Sequence, residues 1–261
     1  MQALRTAATG MSAQQLNVEV ISNNIANMNT VGFKKQRAEF QDLLYHTMER
    51  AGAMAAEGAI VPTGVQIGGG VKAGSVYRIT EQGAVTQTGN PYDLAIEGRG
   101  FFQVLMPSGE TAYTRAGNLS LNADGLLVTE DGYTIQPAIN VPNDATSISV
   151  SKTGQVQAVR AGQTETEVVG QIELANFVNE AGLSAIGDNL LMETAASGPA
   201  NVGAPGIDGF GNLLQGYTEA SNVDAVTEIT SLIVAQRAYE MNSKVISAAD
   251  EMLQAANSVK S

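Results

Sequence analysis

Two segments at opposite ends of the chain repeat apolar residues every seven positions, and this spacing restricts the fold more than any other feature. The N-terminal repeat runs through Leu4, Met11, Val18 and Ile25, with a second row at Ala7, Gln14, Ile21 and Met28. The C-terminal repeat runs through Leu232, Tyr239, Ile246 and Leu253, with a second row at Ala235, Asn242, Ala249 and Ala256. Such repeats are typical of helices that pack along one seam. We therefore predict two long helices that pair as a coiled coil.

The middle of the chain, residues 76–216, has a different pattern. Short alternating runs rich in Val, Ile, Thr and Tyr are separated by turn dipeptides such as Asp124-Gly125 and Asp131-Gly132. Asp-Gly between alternating runs is a strong hairpin signal. The run "LAIEGRGFFQV" predicts a buried strand, a bend at Gly98 and Gly100, and a second strand. We therefore predict an α+β fold whose β-rich domain consists of short antiparallel strands.

A third kind of segment, residues 36–75, lies between these two. Gln36 to Met48 has the apolar spacing of a helix, and the glycines beyond it, including Gly68-Gly69-Gly70, predict an extended connector. The resulting division is a terminal helical domain of residues 1–35 and 217–261, a connector of residues 36–75 and an outer domain of residues 76–216. A connector of this length in a compact protein is expected to have a function of its own.

The composition excludes several classes of function. A formal net charge of -12 repels phosphate groups and anionic lipids, so we expect no nucleic-acid partner. Without cysteine, disulfides and thiol chemistry are excluded. No apolar run approaches the roughly 18 residues of a spanning helix, so no direct membrane insertion is expected. Polar residues interrupt any signal-peptide core in the first 20 positions, which predicts a cytoplasmic protein or export without a cleaved leader.

Three local motifs resemble catalytic or binding sites, but each has a simpler interpretation. Gly68-Gly69-Gly70 precedes Lys72 without the spacing of a phosphate-binding loop. His46 follows Asp42 by four residues, as in a dyad, yet a lone histidine is usually solvated. A carboxylate pair is conceivable among Asp93, Glu97 and Glu110. We predict no cofactor, no metal and no enzymatic activity; a secreted carbohydrate enzyme and a fibrous adhesin remain the rival interpretations.

The most informative stretch is "SNNIANMNTVGFKK", residues 22–35, which places four asparagines at the end of the first helix. A helix end with Gly32 after it explains Asn29 and Asn27. Asn23 and Asn24 lie at least a turn inside the helix, where the heptad spacing continues. We predict that these amides form hydrogen bonds to adjacent chains and fix the register of packing.

This stretch resembles the N-terminal signature of bacterial flagellar axial proteins, the family of the basal-body rod and hook. Three further blocks resemble the same family: "EGRGFFQV", "YTRAGNLSLNADGLLVTEDGYTIQ" and "QGYTEASNVDAVTEITSLIVAQRAYEMNSKVI". Together they cover over half of the chain. The opening residues and the connector blocks "QRAEFQDLLY" and "PTGVQIGGGVKAG" are most similar to distal rod subunits, with proximal rod and hook-type subunits as alternatives.

The resemblance implies a structural subunit of the periplasmic drive shaft, which transmits motor torque. Its implied partners are further copies of itself, the proximal rod protein and the hook protein at the two ends, and the P-ring and L-ring proteins around the shaft. A rod cap and the flagellar type III export apparatus are implied during assembly. Residues predicted at subunit interfaces are Leu4, Met11, Val18, Ile21, Asn23, Asn24, Ile25, Asn27, Phe33, Arg37, Phe40, Leu44, Leu232, Gln236, Arg237, Tyr239, Asn242, Ile246 and Leu253.

Overall fold

Two long helices form the ends of the chain, and the strands lie between them in the sequence. The computed structural model describes residues 2–49, 54–56, 59–60, 63–142, 144–162 and 166–260. Helix α1 is Gln2–Ala26 and helix α2 is Ala225–Lys260. The α+β class and the central antiparallel strands are confirmed. The chain divides into two compact units, one of Met1–Ile25, Gln36–Tyr77 and Asp224–Ser261, the other of Ala26–Lys35 and Arg78–Val223. The three-part division made from the sequence stays a prediction.

Within the first unit, α1 and α2 make contact at two points that define their direction. A Cβ atom on Gly10 would lie 2.9 Å from Asn242 Nδ2, and Asn24 Nδ2 donates to Glu228 Oε2 at 3.2 Å. Fourteen residues forward along α1 therefore correspond to fourteen residues backward along α2, so the helices run antiparallel. The buried apolar residues of the two helices include Ala7, Ala13, Val20 and Ile21 on α1 and Ala235 and Ala249 on α2.

The connector of the first unit consists of paired strands. β1 (Gln36–Asp42) pairs with β6 (Val71–Arg78), β2 (Tyr45–Glu49) with β5 (Val65–Gly68), and β3 (Met54–Ala56) with β4 (Ala59–Ile60). The helix predicted over residues 36–48 is therefore wrong. The apolar spacing of Phe40, Leu43 and Leu44 resembled a helical face, but β1 finds its partner about 30 residues further along the chain, which a local pattern cannot reveal.

Gly70 brings the connector against α1 within the same unit. Its φ is +118°, a region that favours glycine, and a Cβ atom there would collide with Thr9 Oγ1. The next residue, Val71, donates its backbone N–H to the same Thr9 hydroxyl at 3.3 Å. The glycine triplet therefore permits a close approach of β6 to the helix and does not form a phosphate-binding loop.

The second unit contains the remaining strands in antiparallel pairs. Their bounds are β7 Val85–Gln87, β8 Leu94–Glu97, β9 Phe101–Leu105, β10 Thr111–Thr114, β11 Ser120–Leu121, β12 Leu127–Val128, β13 Thr134–Gln136, β14 Ala145–Val150, β15 Gln155–Arg160, β16 Thr166–Gln171, β17 Leu174–Asn176, β18 Ser184–Gly187, β19 Leu190–Met192, β20 Asn201–Gly203, β21 Asn212–Gln215 and β22 Tyr217–Glu219. A short 3-10 helix spans Glu180–Gly182.

The largest sheet of the second unit is organised around β9. β10 pairs along one edge of β9, while β13 and β17 share the other edge. The strand, bend and strand predicted for "LAIEGRGFFQV" are confirmed, with Gly98 and Gly100 at φ +112° and +136°. Phe102 is fully buried in a cluster that also contains Leu94, Ile96, Ile135, Ile172, Leu174 and Leu213. The burial of large apolar side chains is the main source of stability for this unit.

Candidate functional site

Of the residues considered for catalysis, Asp93 has a structural role and His46 does not lie on a helix. Asp93 is buried and accepts hydrogen bonds from Thr88 Oγ1 at 2.5 Å and Asn90 Nδ2 at 2.9 Å, which hold the turn before β8. His46 lies on strand β2 and not on a helix, so the geometry assumed for a dyad with Asp42 is wrong. In the part of the chain that the structure describes, no group of three or more His, Cys, Asp and Glu side chains could hold a metal ion.

A polar cleft in the second unit has the size of a ligand pocket, but the arginine side chains that line it form hydrogen bonds to other residues of the same unit. Its volume is about 550 Å³ and its lining includes three arginines. Arg99 Nη2 donates to Glu180 Oε1 at 2.8 Å, Arg78 Nη1 donates to the carbonyl of Leu183 at 3.1 Å, and Arg115 is buried. The arginines of the cleft therefore hold loops of the unit in place.

The most elaborate polar arrangement of the second unit is centred on Glu219, at the end of β22. Its side chain is 1% exposed and pairs with Lys34 Nζ at 2.5 Å through Oε1 and with Arg115 Nε at 2.8 Å through Oε2. The backbone N–H of Gly83 also donates to Oε1 at 2.9 Å. Arg115 donates further to the carbonyls of Gly98 and Gly100, at 2.7 and 2.5 Å. We call Lys34, Arg115 and Glu219 the buried charge cluster.

The charge of Glu219 is stabilised by its partners. Burial alone raises the pKa of Glu219, but Arg115, Lys34 and the Gly83 N–H oppose burial and bring the pKa below its ordinary value. Burial is also the largest influence on Lys34, where it lowers the pKa against the attraction of Glu219. Such a cluster is costly to bury and more costly to break, because removal of one partner leaves an uncompensated charge.

The same region fixes the segment that follows α1. Gly32, with φ +70°, is buried, and a Cβ atom there would lie 2.7 Å from the backbone of Arg115 and Ala116. Its N–H donates to the carbonyl of Glu219 at 2.8 Å. Asn222 accepts from the Lys35 N–H at 2.7 Å and donates to the carbonyls of Ile79 and Glu81. The "GFKK" and "TEASN" blocks are thus bound to each other inside one unit.

The predicted interface residues of the terminal helices have different exposures. Ile21 and Asn24 are buried within the chain, and Asn23 is exposed. Half-buried positions are Leu4, Met11, Val18, Ile25, Asn27, Phe33, Leu232, Asn242 and Ile246. Exposed positions on α2 are Gln236, Arg237, Tyr239 and Leu253. Whether they contact neighbouring subunits stays a prediction. Sequence analysis missed Gly10, Ala13 and Glu228; for Gly10 the available signal was its spacing of fourteen residues, two heptads, from Asn24.

One face of α2 carries large apolar side chains in contact with solvent. Val234, Met241, Val245 and Met252 are 62%, 61%, 47% and 67% exposed. Their spacing of seven, four and seven residues aligns them along one side of the helix. We call these four residues the outer stripe. A long row of exposed apolar side chains marks a surface that binds another protein.

The connector exposes a second apolar group. Leu44, which precedes β2, is 89% exposed, and Tyr45 and Met48 on β2 are 57% and 70% exposed. Of the other residues predicted here, Phe40 is half-buried and Arg37 is exposed and pairs with Glu39 at 3.3 Å. Residues 50–53, 57–58 and 61–62 of the predicted connector lie outside the described residues.

Long terminal helices with exposed apolar side chains, in a chain that also has a separate strand-rich unit, define the class of structural proteins that assemble through their ends. Among the described helices, none has the length and apolar character needed to cross a membrane. The family descriptions that match the chain agree with this class. They are "Flagella basal body rod protein" for residues 4–34, "Flagellar hook protein FlgE/F/G D1 domain" for residues 95–158 and "Flagellar basal body rod FlgEFG protein C-terminal" for residues 214–259.

Individual relatives identify the branch of the family. The flagellar basal-body rod protein FlgG of Caulobacter vibrioides is 71% identical, with 100% of both chains covered. FlgG of Agrobacterium fabrum is 54% identical over 97% of both chains. The rod protein FlgF of Caulobacter vibrioides is only 35% identical, over 92% of this chain and 89% of its own length. The chain belongs to the flagellar basal-body rod protein family and is most similar to its FlgG members. It is a structural subunit of the distal rod and not an enzyme, which confirms the prediction made from the resemblance.

Proposed function

We propose that the chain forms the rod as a helical homopolymer in which the outer stripe of α2 packs against a neighbouring copy. The observation that carries this proposal is the exposure of Val234, Met241, Val245 and Met252 along one side of a 36-residue helix. Contacts of this kind are head-to-tail, so the array extends and does not close. α1 and α2 form the inner tube of the rod and the strand-rich unit forms its outer layer.

The remaining predicted interface residues belong to the same lattice. Asn23 and Asn27 lie at contacts between subunits, and Arg237 and Tyr239 lie on the exposed surface of α2. The exposed apolar side chains of Leu44 and Met48 contact adjacent subunits and resist bending. The specific partners that we propose are the proximal rod and hook proteins at the ends, the P-ring and L-ring proteins around the rod, the rod cap, and the type III export apparatus, which exports the subunit to the periplasm.

Substitution of the outer stripe tests the assembly surface. In Met241→Lys/Val245→Lys, two apolar side chains that become buried on assembly are replaced by charges. Each such burial contributes about 1.5 kcal/mol or more, so the concentration needed for assembly rises by at least about a hundredfold. Sedimentation of filaments as a function of protein concentration measures this.

Ser243→Lys/Ser247→Lys is the matched control. These two positions have the same spacing and are exposed on the opposite side of α2. The control variant should assemble close to the wild-type concentration. Normal assembly of the stripe variant, or equal loss in both variants, would show that the outer stripe is not the specific contact.

A further inference from the structure

We infer that Asn24 fixes the register in which α1 and α2 of the same chain pack and joins that register to the start of β1. This goes beyond the proposed function, because it concerns contacts within one chain and not between copies. It also gives the most buried asparagine of the "SNNIAN" stretch a role different from the lattice role predicted for it.

The side chain of Asn24 is satisfied by two other elements of the first unit. Its Oδ1 accepts the backbone N–H of Gln36 at 2.8 Å, and its Nδ2 donates to the carbonyl of Gln36 at 2.9 Å. The second Nδ2 hydrogen is directed to Glu228 Oε2 at 3.2 Å. Asn24 itself is 2% exposed. The amide therefore pairs with both backbone groups of the first residue of β1 and with one residue in the first turn of α2.

The apolar contacts of the helix pair are poorly suited to set the register. Among the described residues, the buried apolar side chains of α2 are both alanines, Ala235 and Ala249, while α1 buries Ala7, Ala13, Val20 and Ile21. A slip of α2 by one heptad places Ala249 opposite Gly10, a pairing of two small residues. In that slipped register Asn24 lies opposite Ala235 and not Glu228, so the buried amide keeps its bonds to Gln36 but one of its N–H groups loses its acceptor on α2. A buried polar group without a partner is strongly disfavoured, which is how a single asparagine specifies one register.

Asn242 adds an independent geometric check on the same register. Its amide lies over Gly10, where a Cβ atom would be 2.9 Å from Nδ2 and 3.3 Å from Cγ. The absence of a side chain at Gly10 leaves room for the amide of Asn242. The two contacts lie fourteen residues apart on each helix, so both agree with one antiparallel alignment.

Cysteine pairs can measure the register directly because the chain contains no cysteine. Asn17 and Ala235 lie midway between the two contacts, so Asn17→Cys/Ala235→Cys reports the observed register. Asn17→Cys/Asn242→Cys reports a slip of one heptad. Each pair is placed in the full-length chain, oxidised in filaments, and analysed by mass for disulfides within one chain and between chains.

The expected result is a predominance of the Asn17/Ala235 disulfide within one chain. Asn24→Leu should reduce its ratio to the slipped disulfide by about tenfold, because the leucine removes the hydrogen bond to Glu228, the one bond of the amide that reaches α2. Ser22→Leu is the control, an exposed polar residue two positions away, and should leave the ratio unchanged. Glu228→Leu removes the same bond from the other side and should reduce the ratio to a similar extent, which keeps the test informative if Asn24→Leu fails to fold.

Two results would overturn the inference. An unchanged disulfide ratio in both Asn24→Leu and Glu228→Leu would show that other contacts set the register. Predominant disulfides between chains would show that the helices pair across subunits, which supports the lattice role of Asn24 instead. Failure of the proposed assembly surface is detected separately, by sedimentation of the Met241→Lys/Val245→Lys variant.

Discussion

At the scale of single residues, the buried charge cluster stabilises the segments that enter and leave the second unit. Glu219 binds Lys34, Arg115 and the Gly83 N–H simultaneously, and Lys34 and Glu219 come from opposite ends of the sequence. The two basic side chains are also hydrogen-bonded to carbonyls, Lys34 to that of Glu81 at 2.8 Å. Each charge of the cluster is therefore paired and hydrogen-bonded, the condition under which buried charges are tolerated, although two cations share one carboxylate.

Removal of the negative charge of Glu219 should destabilise the second unit. In Glu219→Gln, Lys34 and Arg115 stay buried without a counter-ion, which costs about 3 kcal/mol of unfolding free energy. Urea unfolding of the full chain at pH 7, followed by tyrosine fluorescence, measures this. Glu180→Gln is the control, because Glu180 pairs with the 61% exposed Arg99, and its loss should cost under about 1 kcal/mol.

The same substitution has a defined pH signature. The pKa of Glu219 is lowered by folding, so its contribution is present above about pH 4.3, the ordinary pKa of glutamate, and is lost as pH falls through the lower folded pKa. The wild-type unfolding free energy should therefore decrease in this acidic range more steeply than that of Glu219→Gln. Parallel pH profiles for the two proteins would contradict the assignment of the cluster as the acid-sensitive group.

At the scale of secondary-structure elements, the connector strands β2 and β5 pair through their backbones and expose large apolar side chains to solvent. The pairing places Tyr45 opposite Gly68 and His46 opposite Ile67. The Tyr45 ring is 57% exposed and lies over Gly68, where a Cβ atom would be 3.4 Å from Tyr45 Cε1. The hairpin thus presents large apolar side chains, as a segment that contacts other subunits would.

Loss of these apolar side chains should soften the rod. In Leu44→Ser/Met48→Ser the contacts between subunits lose about 1.5 to 3 kcal/mol per side chain, and the bending persistence length of the filament should fall to roughly half. Electron microscopy of filament curvature measures it. Gln66→Ser, an exposed polar change on the paired strand β5, is the control. Filaments of the double variant as straight as those of the control would exclude a bracing role for this hairpin.

At the scale of the whole molecule, the two compact units differ in what stabilises them. The second unit has a large cluster of buried Leu, Ile, Val and Phe side chains around β9. The helix pair of the first unit has mainly alanines at its buried positions and exposes apolar side chains on α2. Since apolar burial is the main contribution to stability, the helices should depend on assembly more than the strand-rich unit does.

Hydrogen exchange tests this difference in the full-length protein. In dilute monomer, amides of residues 2–26 and 225–260 should exchange fast, and those of β9, β10 and β17 should be protected. In filaments both sets should be protected. Equal protection of the helices in both states would contradict folding on assembly, and the protected strands provide the control within each sample.

The sequence by itself determined the two terminal helices, the α+β class, the strand and bend around Gly98 and Gly100, and the family. These features depend on local periodicity, on turn residues and on blocks of contiguous letters, which are all visible along the chain. The tertiary structure alone decided that residues 36–42 form a strand, that Asn24 binds Gln36 and Glu228, and that Lys34, Arg115 and Glu219 meet. Each of these depends on residues distant in sequence, and the free energy of a buried polar contact is defined only once both partners are in place.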